Sequence, residues 1–266
     1  RIPIGATPKL PIMVAEKGSQ WMKLRVRGVP GHGSMPYRTD NAVVKMAEVV
    51  RRIASYRSPA DLHDVWMRFI DGLDLPFAQR ALLRNGPGLE LALGRMPLGV
   101  ARMMHAATHT TFSPNVMQGG VKTNIVPDAA EIQVDIRTLP GVDAAAVHRM
   151  LRDAVGDLWS AVEIVEEGEN PATASPIDTP LWRALTTATE RLVPGGTTIP
   201  FLVVGATDAR FFRRKGVVSY GYGLFSERIP FNEFSAMFHG RNERIDQTSL
   251  GLMVALWEST AREVLA

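Results

Sequence analysis

Cysteine is absent from all 266 residues. That removes disulfide frameworks, thiolate metal sites and cysteine nucleophiles together, and it is compatible with either an oxidising or a reducing compartment. Any metal would have to be held by His, Asp or Glu. Excess charge is also scarce: 30 Lys and Arg against 27 Asp and Glu leave a net +3, spread along the chain. Such a balance gives no footprint for nucleic acid. No apolar run approaches the ~18 residues of a membrane helix; Arg95 and Arg102 interrupt the nearest candidate. The chain opens Arg-Ile-Pro-Ile-Gly, with neither an initiator methionine nor a signal-like apolar segment, and it reads as a piece of something longer. What is present is an ordinary globular balance, 45% hydrophobic and 21% charged. Disorder and low complexity are excluded, and the length predicts about one to two domains.

Residues 1–16, rich in Pro, Gly and isolated apolar side chains, are expected to form an extended connector. Met22, Leu24 and Val26 then alternate with Lys23, Arg25 and Arg27, the pattern of a half-buried strand. A glycine- and proline-dense loop over 28–36 leads to a helix with Thr39 or Asp40 as its cap. Val43, Met46, Ala47, Val50 and Ala54 form the apolar stripe of that helix. Residues 60–106, Leu- and Met-rich and punctuated by Pro76, Pro87 and Pro97, read as an irregular helical insertion. Strand character returns at 107–117. The clearest alternation sets Ala130, Ile132, Val134 and Ile136 against Glu131, Gln133, Asp135 and Arg137. Asp143 can cap a helix carrying Val147, Met150, Leu151, Ala154 and Leu158, and a short strand at 162–165 completes the set.

With the insertion set aside, the order is strand, helix, strand, strand, helix, strand. This is the order of a ferredoxin-like α+β sandwich, an antiparallel sheet with two helices on one face, over residues 17–166. From 167 onwards the rhythm changes. A helix near 178–193, a strand at 199–204, a turn at Gly205-Ala206, a helix from Thr207-Asp208 and a strand at 217–220 precede a final amphipathic helix. Alternating strands and helices predict an α/β unit, incomplete with only two strands visible.

Six histidines are candidates for chemistry. His105 and His109 have the i, i+4 spacing of a metal-binding pair, but Pro97 and the run Thr108-His-Thr-Thr-Phe112 argue against a helix there. His63 and His148 sit on ordinary helical segments. His32, between Gly31 and Gly33 on a stiff loop, is either a surface residue or a donor reaching into a cleft. His239 precedes the last helix, where a ligand or base is reasonable. Thr207-Asp208-Ala-Arg210 follows a strand and opens a helix; it caps that helix, and its amides can hold an anion, with Arg210 strengthening the site. Arg137 is either a solvated partner of Asp135 or a carboxylate clamp. Asn124 reads as a turn residue.

Six ordered stretches together resemble the M20 family of metallopeptidases and aminoacylases. They are Glu16-Lys-Gly18, Gly31-His-Gly-Ser-Met-Pro36, Gly119-Gly-Val-Lys-Thr-Asn-Ile-Val-Pro127, Val134-Asp-Ile-Arg137 with Leu139-Pro-Gly141, Gly205-Ala-Thr-Asp-Ala-Arg-Phe-Phe212 and His239-Gly-Arg-Asn-Glu243. The branch containing carboxypeptidase S, aminoacylase-1 and the N-acyl-amino-acid hydrolases is the most similar. The resemblance implies a ferredoxin-like lid, or dimerisation, domain at 17–166 with a helical insertion about 60–106. Residues 1–16 would connect it to a zinc-peptidase α/β catalytic domain, whose C-terminal part is 167–266. His32 matches the catalytic lid histidine that stabilises the oxyanion, often from the partner subunit. Asn124 and Arg137 match residues that hold the substrate carboxylate, Thr207 and Arg210 the substrate-binding turn, and His239 a zinc ligand.

The family's His-X-Asp motif, bridging Asp, Glu-Glu pair and further acidic ligand lie upstream of the lid, and none of them precedes the lid stretch in this sequence. The resemblance therefore implies the C-terminal portion of a two-zinc amidohydrolase acting on an N-acyl-amino acid or small peptide with a free carboxylate. It also implies a possible homodimer through the lid. The chain alone would be inactive, since one histidine cannot make a zinc site. The other reading is a non-catalytic dimerisation or binding module derived from that lid.

Overall fold

Alternation along the sequence builds the first sheet. In β2 (Gly18–Arg27) and β6 (Ala129–Thr138), Met22, Leu24 and Val26 lie beside Ala130, Ile132, Val134 and Ile136 on one buried face. Helices α1 (Ala42–Ser55) and α6 (Ala144–Val155) cover that face with Met46, Val49, Ile53, Val147, Leu151 and Val155. The edge strands are β4 (Thr111–Gly119) and β7 (Val162–Asn170), giving the antiparallel order β4-β6-β2-β7. This is the expected ferredoxin-like sandwich. The computed structural model describes residues 7–230, 233, 237 and 240–266.

Several local expectations shift. The cap of α1 is Asn41 rather than Thr39 or Asp40, its side chain accepting from the Val43 and Val44 amides at 2.9 and 3.3 Å. The buried stripe of α1 is Ala42, Met46, Val49 and Ile53, which turns Ala47 and Ala54 to solvent and spends the larger side chains on the core. Asp143 caps α6 as expected, at 2.7 Å from the Ala146 amide.

The insertion contains α2 (Asp64–Gly72), α3 (Phe77–Leu83), α4 (Gly86–Leu93) and α5 (Leu98–Thr108). Pro97 does not prevent a helix at His105. It occupies the N-cap of α5, ahead of the first turn, where its missing N–H leaves no ladder bond unmade. Strand β4 accordingly starts at Thr111, four residues later than expected.

The larger correction concerns residues 1–16. Within them, Lys9–Glu16 is strand β1, central in a second sheet of order β8-β1-β9 with β8 (Thr173–Ala174) and β9 (Thr197–Val203). Strand β1 runs parallel to β9 and antiparallel to β8. On one face Leu10, Ile12 and Val14 pack with α7 (Pro180–Leu192) and α9 (Gln247–Leu265) through Leu185, Ala188 and Leu256. On the other, Ile199 and Phe201 of β9 join the insertion's own core around Trp66, Phe69 and Ile70. The insertion is thus the second layer of the α/β unit as much as a part of the lid. The expected strand at 217–220 is irregular backbone, touching β1 through paired amide bonds between Met13 and Gly221 at 2.8 and 3.0 Å.

The chain crosses between the sheets at Glu16-Lys17-Gly18. A β-carbon on Gly18 would lie 2.4 Å from Thr138 Oγ1 and 2.5 Å from the Ala172 amide nitrogen, so only glycine passes there.

Candidate functional site

The site residues expected from sequence fall into two groups at opposite ends of β6. At one end, β3 (Gly31–His32) pairs with β5 (Ile125–Val126), setting His32 opposite Ile125. The Gly33 amide donates to Asn124 O at 2.8 Å. A β-carbon at Gly33 would sit 3.0–3.1 Å from the Asn124 backbone, so the glycine lets the two loops close on each other. His32 and Asn124 are therefore side by side, both exposed.

The histidine is held by its own loop. The Ser34 amide donates to His32 Nδ1 at 3.2 Å, and Ser34 Oγ lies 2.7 Å from the same nitrogen. A ring nitrogen that accepts an amide hydrogen carries none itself, so this contact favours the neutral tautomer with its proton on Nε2.

At the other end stand Arg137, Thr207 and Arg210. Arg137 makes a bidentate pair with Asp135, Nε to Oδ1 at 2.7 Å and Nη2 to Oδ2 at 3.1 Å. Strand β6 separates it from Ala129 by eight residues, about 27 Å at 3.4 Å per residue. Asn124 precedes the Ala129 end of that strand and Arg137 lies near its other end, whereas the resemblance implies that the two act on one carboxylate.

The turn at Thr207 also differs from expectation. It opens α8 (Ala209–Arg213), and an anion does sit at its amide, but that anion is Glu16 of the same chain. Glu16, 1% exposed, accepts from the Thr207 amide and from Thr207 Oγ1, the latter at 2.8 Å. Its other oxygen takes Thr173 Oγ1 at 2.9 Å and Arg213 Nη1 at 3.3 Å. The donors of Thr207 are thus committed to holding the turn. Arg210 folds back, Nε donating to Thr207 O at 3.1 Å, with its guanidinium 5.6 Å from the Phe211 ring centre.

Sequence reasoning gave no role to Glu16, Lys17 or Arg213, although the first two lie in a quoted matching stretch. Lys17 is buried, donating to Ala106 O at 2.9 Å, His109 O at 2.6 Å and Thr111 Oγ1 at 3.3 Å. Burial, then the charge of Arg137, lowers its pKa to about 7, against an opposing pull from Asp135. Burial also lowers the pKa of Arg213, while Glu16 raises it.

Other histidines have structural partners. His63 caps α2, accepting from the Trp66 amide at 3.2 Å, and its Nε2 meets Ala107 O at 2.9 Å. His148 meets Glu167 at 2.9 Å. His105 and His109 stack 4.1 Å apart, and His109 Nε2 meets Glu90 at 2.8 Å. Among the described residues, no group of three or more His, Asp or Glu could hold a metal ion. The expected zinc ligand His239 lies outside the described residues. No helix among the described residues is long and apolar enough to cross a membrane.

Residues 14–162, more than half of the chain, match the family model of the M20 peptidase dimerisation domain. The chain belongs to the M20 peptidase family. Aminoacylase-1B of Rattus norvegicus is 24% identical over 244 residues, covering 91% of this chain and 49% of that protein. The N-fatty-acyl-amino acid synthase/hydrolase PM20D1 of Xenopus tropicalis is 26% identical over 248 residues, with coverages of 91% and 47%. This M20 chain therefore spans about half the length of the curated relatives it matches. Among solved structures, human carnosine dipeptidase 1 superposes with a TM-score of 0.61 at 13% identity, covering 98% of this chain and 57% of that one. The M20 family metallo-carboxypeptidase Sso-CP2 of Sulfolobus solfataricus gives 0.59 at 17% identity, with coverages of 98% and 61%. At such identities the likeness is one of fold.

Proposed function

We propose that this chain is the lid and C-terminal catalytic portion of a homodimeric M20 hydrolase. Its substrate would be an N-acyl-amino acid or a small peptide with a free carboxylate, cleaved at the amide bond. The observation that carries this reading is the separation of His32 and Asn124 from Arg137 along β6, on a sheet with one edge suited to pairing. Edge β7 carries Glu163, Glu166, Glu167 and Glu169, which discourage strand addition. Edge β4 has no charged residue and leaves Val116 and Met117 exposed. Exposed Val44, Tyr37, Met35 and Val121 lie on α1 and the neighbouring loops. Pro114 is tolerated because β4 is an edge.

In the β4–β6 ladder Thr111 lies opposite Arg137, and Gly119 opposite Ala130. If two β4 edges pair antiparallel about their middles, the Thr111 end of one chain meets the Gly119 end of the other. One protomer's His32 and Asn124 then come beside its partner's Arg137. In that composite site Arg137 binds the substrate carboxylate, and Arg210, held at the Thr207 turn, is a second candidate cation for it. His32 donates from Nε2 to the carbonyl oxygen as negative charge develops there. Thr207 holds the turn through Glu16 instead of touching substrate.

Zinc belongs to the proposal through the resemblance, with His239 as the ligand this chain would give. The described residues do not make a metal site, so the remaining ligands and the general base are assigned to the portion of M20 relatives that this chain does not span. Elemental analysis of the full-length protein should show less bound zinc in His239→Ala.

The deciding experiment mixes inactive subunits. His32→Ala and Arg137→Ala variants of the full-length enzyme are expected to be nearly inactive alone. Unfolded and refolded together, they should recover about a quarter of wild-type activity, because half the dimers are mixed and each has one intact site. No recovery, with mixed dimers present by mass spectrometry, would refute the shared site.

A further inference from the structure

The outer face of the four-stranded sheet is mostly a set of ordinary ion pairs. Arg25 pairs with Glu131, Arg27 with Glu163 at 2.8 Å, and Lys23 with Glu166. Trp21 breaks the pattern. It is a large aromatic residue on this wet face, 60% exposed, so burial is not what keeps it there. Its neighbours Ser19 and Met22 pair with Arg137 and Val134, which brings the indole level with Asp135. The indole Nε1 donates to Asp135 Oδ1 at 2.9 Å, the oxygen that also accepts from Arg137 Nε. The guanidinium carbon lies 5.6 Å from the indole ring centre, within cation–π range.

One carboxylate and one ring thus fix a single cation. The Nε and Nη2 edge of Arg137 is taken by Asp135, while Nη1 has no hydrogen-bond partner among the described residues. Arg137 is close enough to Lys17 for its charge to disfavour the Lys17 ammonium, while Asp135 favours it. An isolated exposed Arg–Asp pair is worth little and wanders. A pair whose carboxylate is shared with an indole N–H, and whose cation lies over that indole, is pre-organised.

We propose that Trp21 and Asp135 are positioning residues for Arg137, holding its Nη1 edge outward to receive a ligand carboxylate. This rests on the proposed role of Arg137 in binding substrate and adds the residues that aim it. The ring sets the plane of the guanidinium, and Asp135 sets its rotation about the chain axis. Neither touches the scissile bond.

The test uses the full-length enzyme with N-acetyl-leucine and its α-carboxamide, which differ only in the group Arg137 would bind. Trp21→Leu and Asp135→Asn should each raise KM for the free acid by about five- to tenfold, the size expected for loss of a pre-organising contact. They should leave kcat within twofold and the KM for the carboxamide unchanged. Trp21→Phe, which keeps a ring and loses the N–H, should fall between Trp21→Leu and wild type. Wild type that hydrolyses neither these compounds nor a panel of other N-acyl-amino acids and dipeptides overturns the function and this inference with it. Wild type that hydrolyses the acid, with KM unmoved in both variants, overturns this inference alone. Equal losses on acid and carboxamide, or a lowered unfolding midpoint tracking the loss, would reduce Trp21 and Asp135 to structural residues and also overturn it.

Discussion

At the His32 end of β6, backbone does the holding and side chains face outward. Two short strands and the Gly33–Asn124 contact fix the loops, while His32, Asn124 and several apolar residues remain exposed. At the Arg137 end the reverse holds. Glu16 and Lys17 are buried, the Arg213 side chain is nearly so, and their polar groups are paired within the chain, with only the Nη1 edge of Arg137 left open. The scaffold of the second end is completed within one protomer, with Arg137 at its rim, whereas the first end leaves its side chains exposed. The difference predicts that mutations at the Glu16 side damage folding, whereas mutations at the His32 side damage activity or association and leave folding intact.

The largest effect should come from Glu16→Ala. It leaves Arg213 buried without its carboxylate and the Thr207 amide without its acceptor, so the chain should lose about 3–5 kcal/mol in urea unfolding. A loss under ~1 kcal/mol would mean that solvent reaches this cluster. Lys17 tests the same end through pH. Its folded pKa of about 7 lies below the 10.5 of a free lysine. Between those values the unfolded chain binds more protons than the native one, so stability rises with pH across that window and falls as pH returns to neutral. Below about 7 the native state bears the full burial penalty of the charge. The change is of the order of 5 kcal/mol for a shift of that size. Lys17→Met should flatten the rise, measured as urea midpoints from pH 6 to pH 10.

Much of the first sheet was legible because period-two alternation directly reports a face. Ile132, Val134 and Ile136 could be assigned inward from sequence alone, and the strand order followed from the sequence of elements. The second sheet was less legible because β1 is buried on both faces. Val14 and Ala15 are both covered, so Lys9–Glu16 shows no alternation and reads as irregular. Site residues were legible as types on loops, but their grouping was not. The distance between Asn124 and Arg137 is set by strand length and register, which no local motif contains. Glu16 was hidden for another reason: a buried carboxylate in a strand is identified by its partners Thr207 and Arg213, some 190 residues away.

At the open end, His32→Ala in the full-length enzyme should lower kcat about 10²-fold, as loss of an oxyanion donor does. The same variant should change urea stability by less than about 0.5 kcal/mol, since the side chain is exposed. An unchanged kcat would remove His32 from catalysis. Changing Val116 and Met117 together to Lys should convert dimer to monomer in sedimentation while leaving the urea midpoint nearly unmoved, because both side chains lie on the exposed edge. A dimer that persists would move the association surface away from β4.

The smallest effect concerns the proton on His32. Ser34 reaches Nδ1 twice, through its amide and its hydroxyl. Ser34→Ala removes only the hydroxyl and leaves the amide, which by itself disfavours a proton on Nδ1. The Nε2–H tautomer should therefore persist, with kcat falling about two- to fivefold from a looser ring and no change in stability. Nitrogen chemical shifts of the imidazole report the tautomer directly. If Ser34→Ala moved the proton to Nδ1, the hydroxyl rather than the amide would be what orients the donor. The loss in kcat should then approach that of His32→Ala, because a ring with a bare Nε2 has no hydrogen to offer a developing oxyanion.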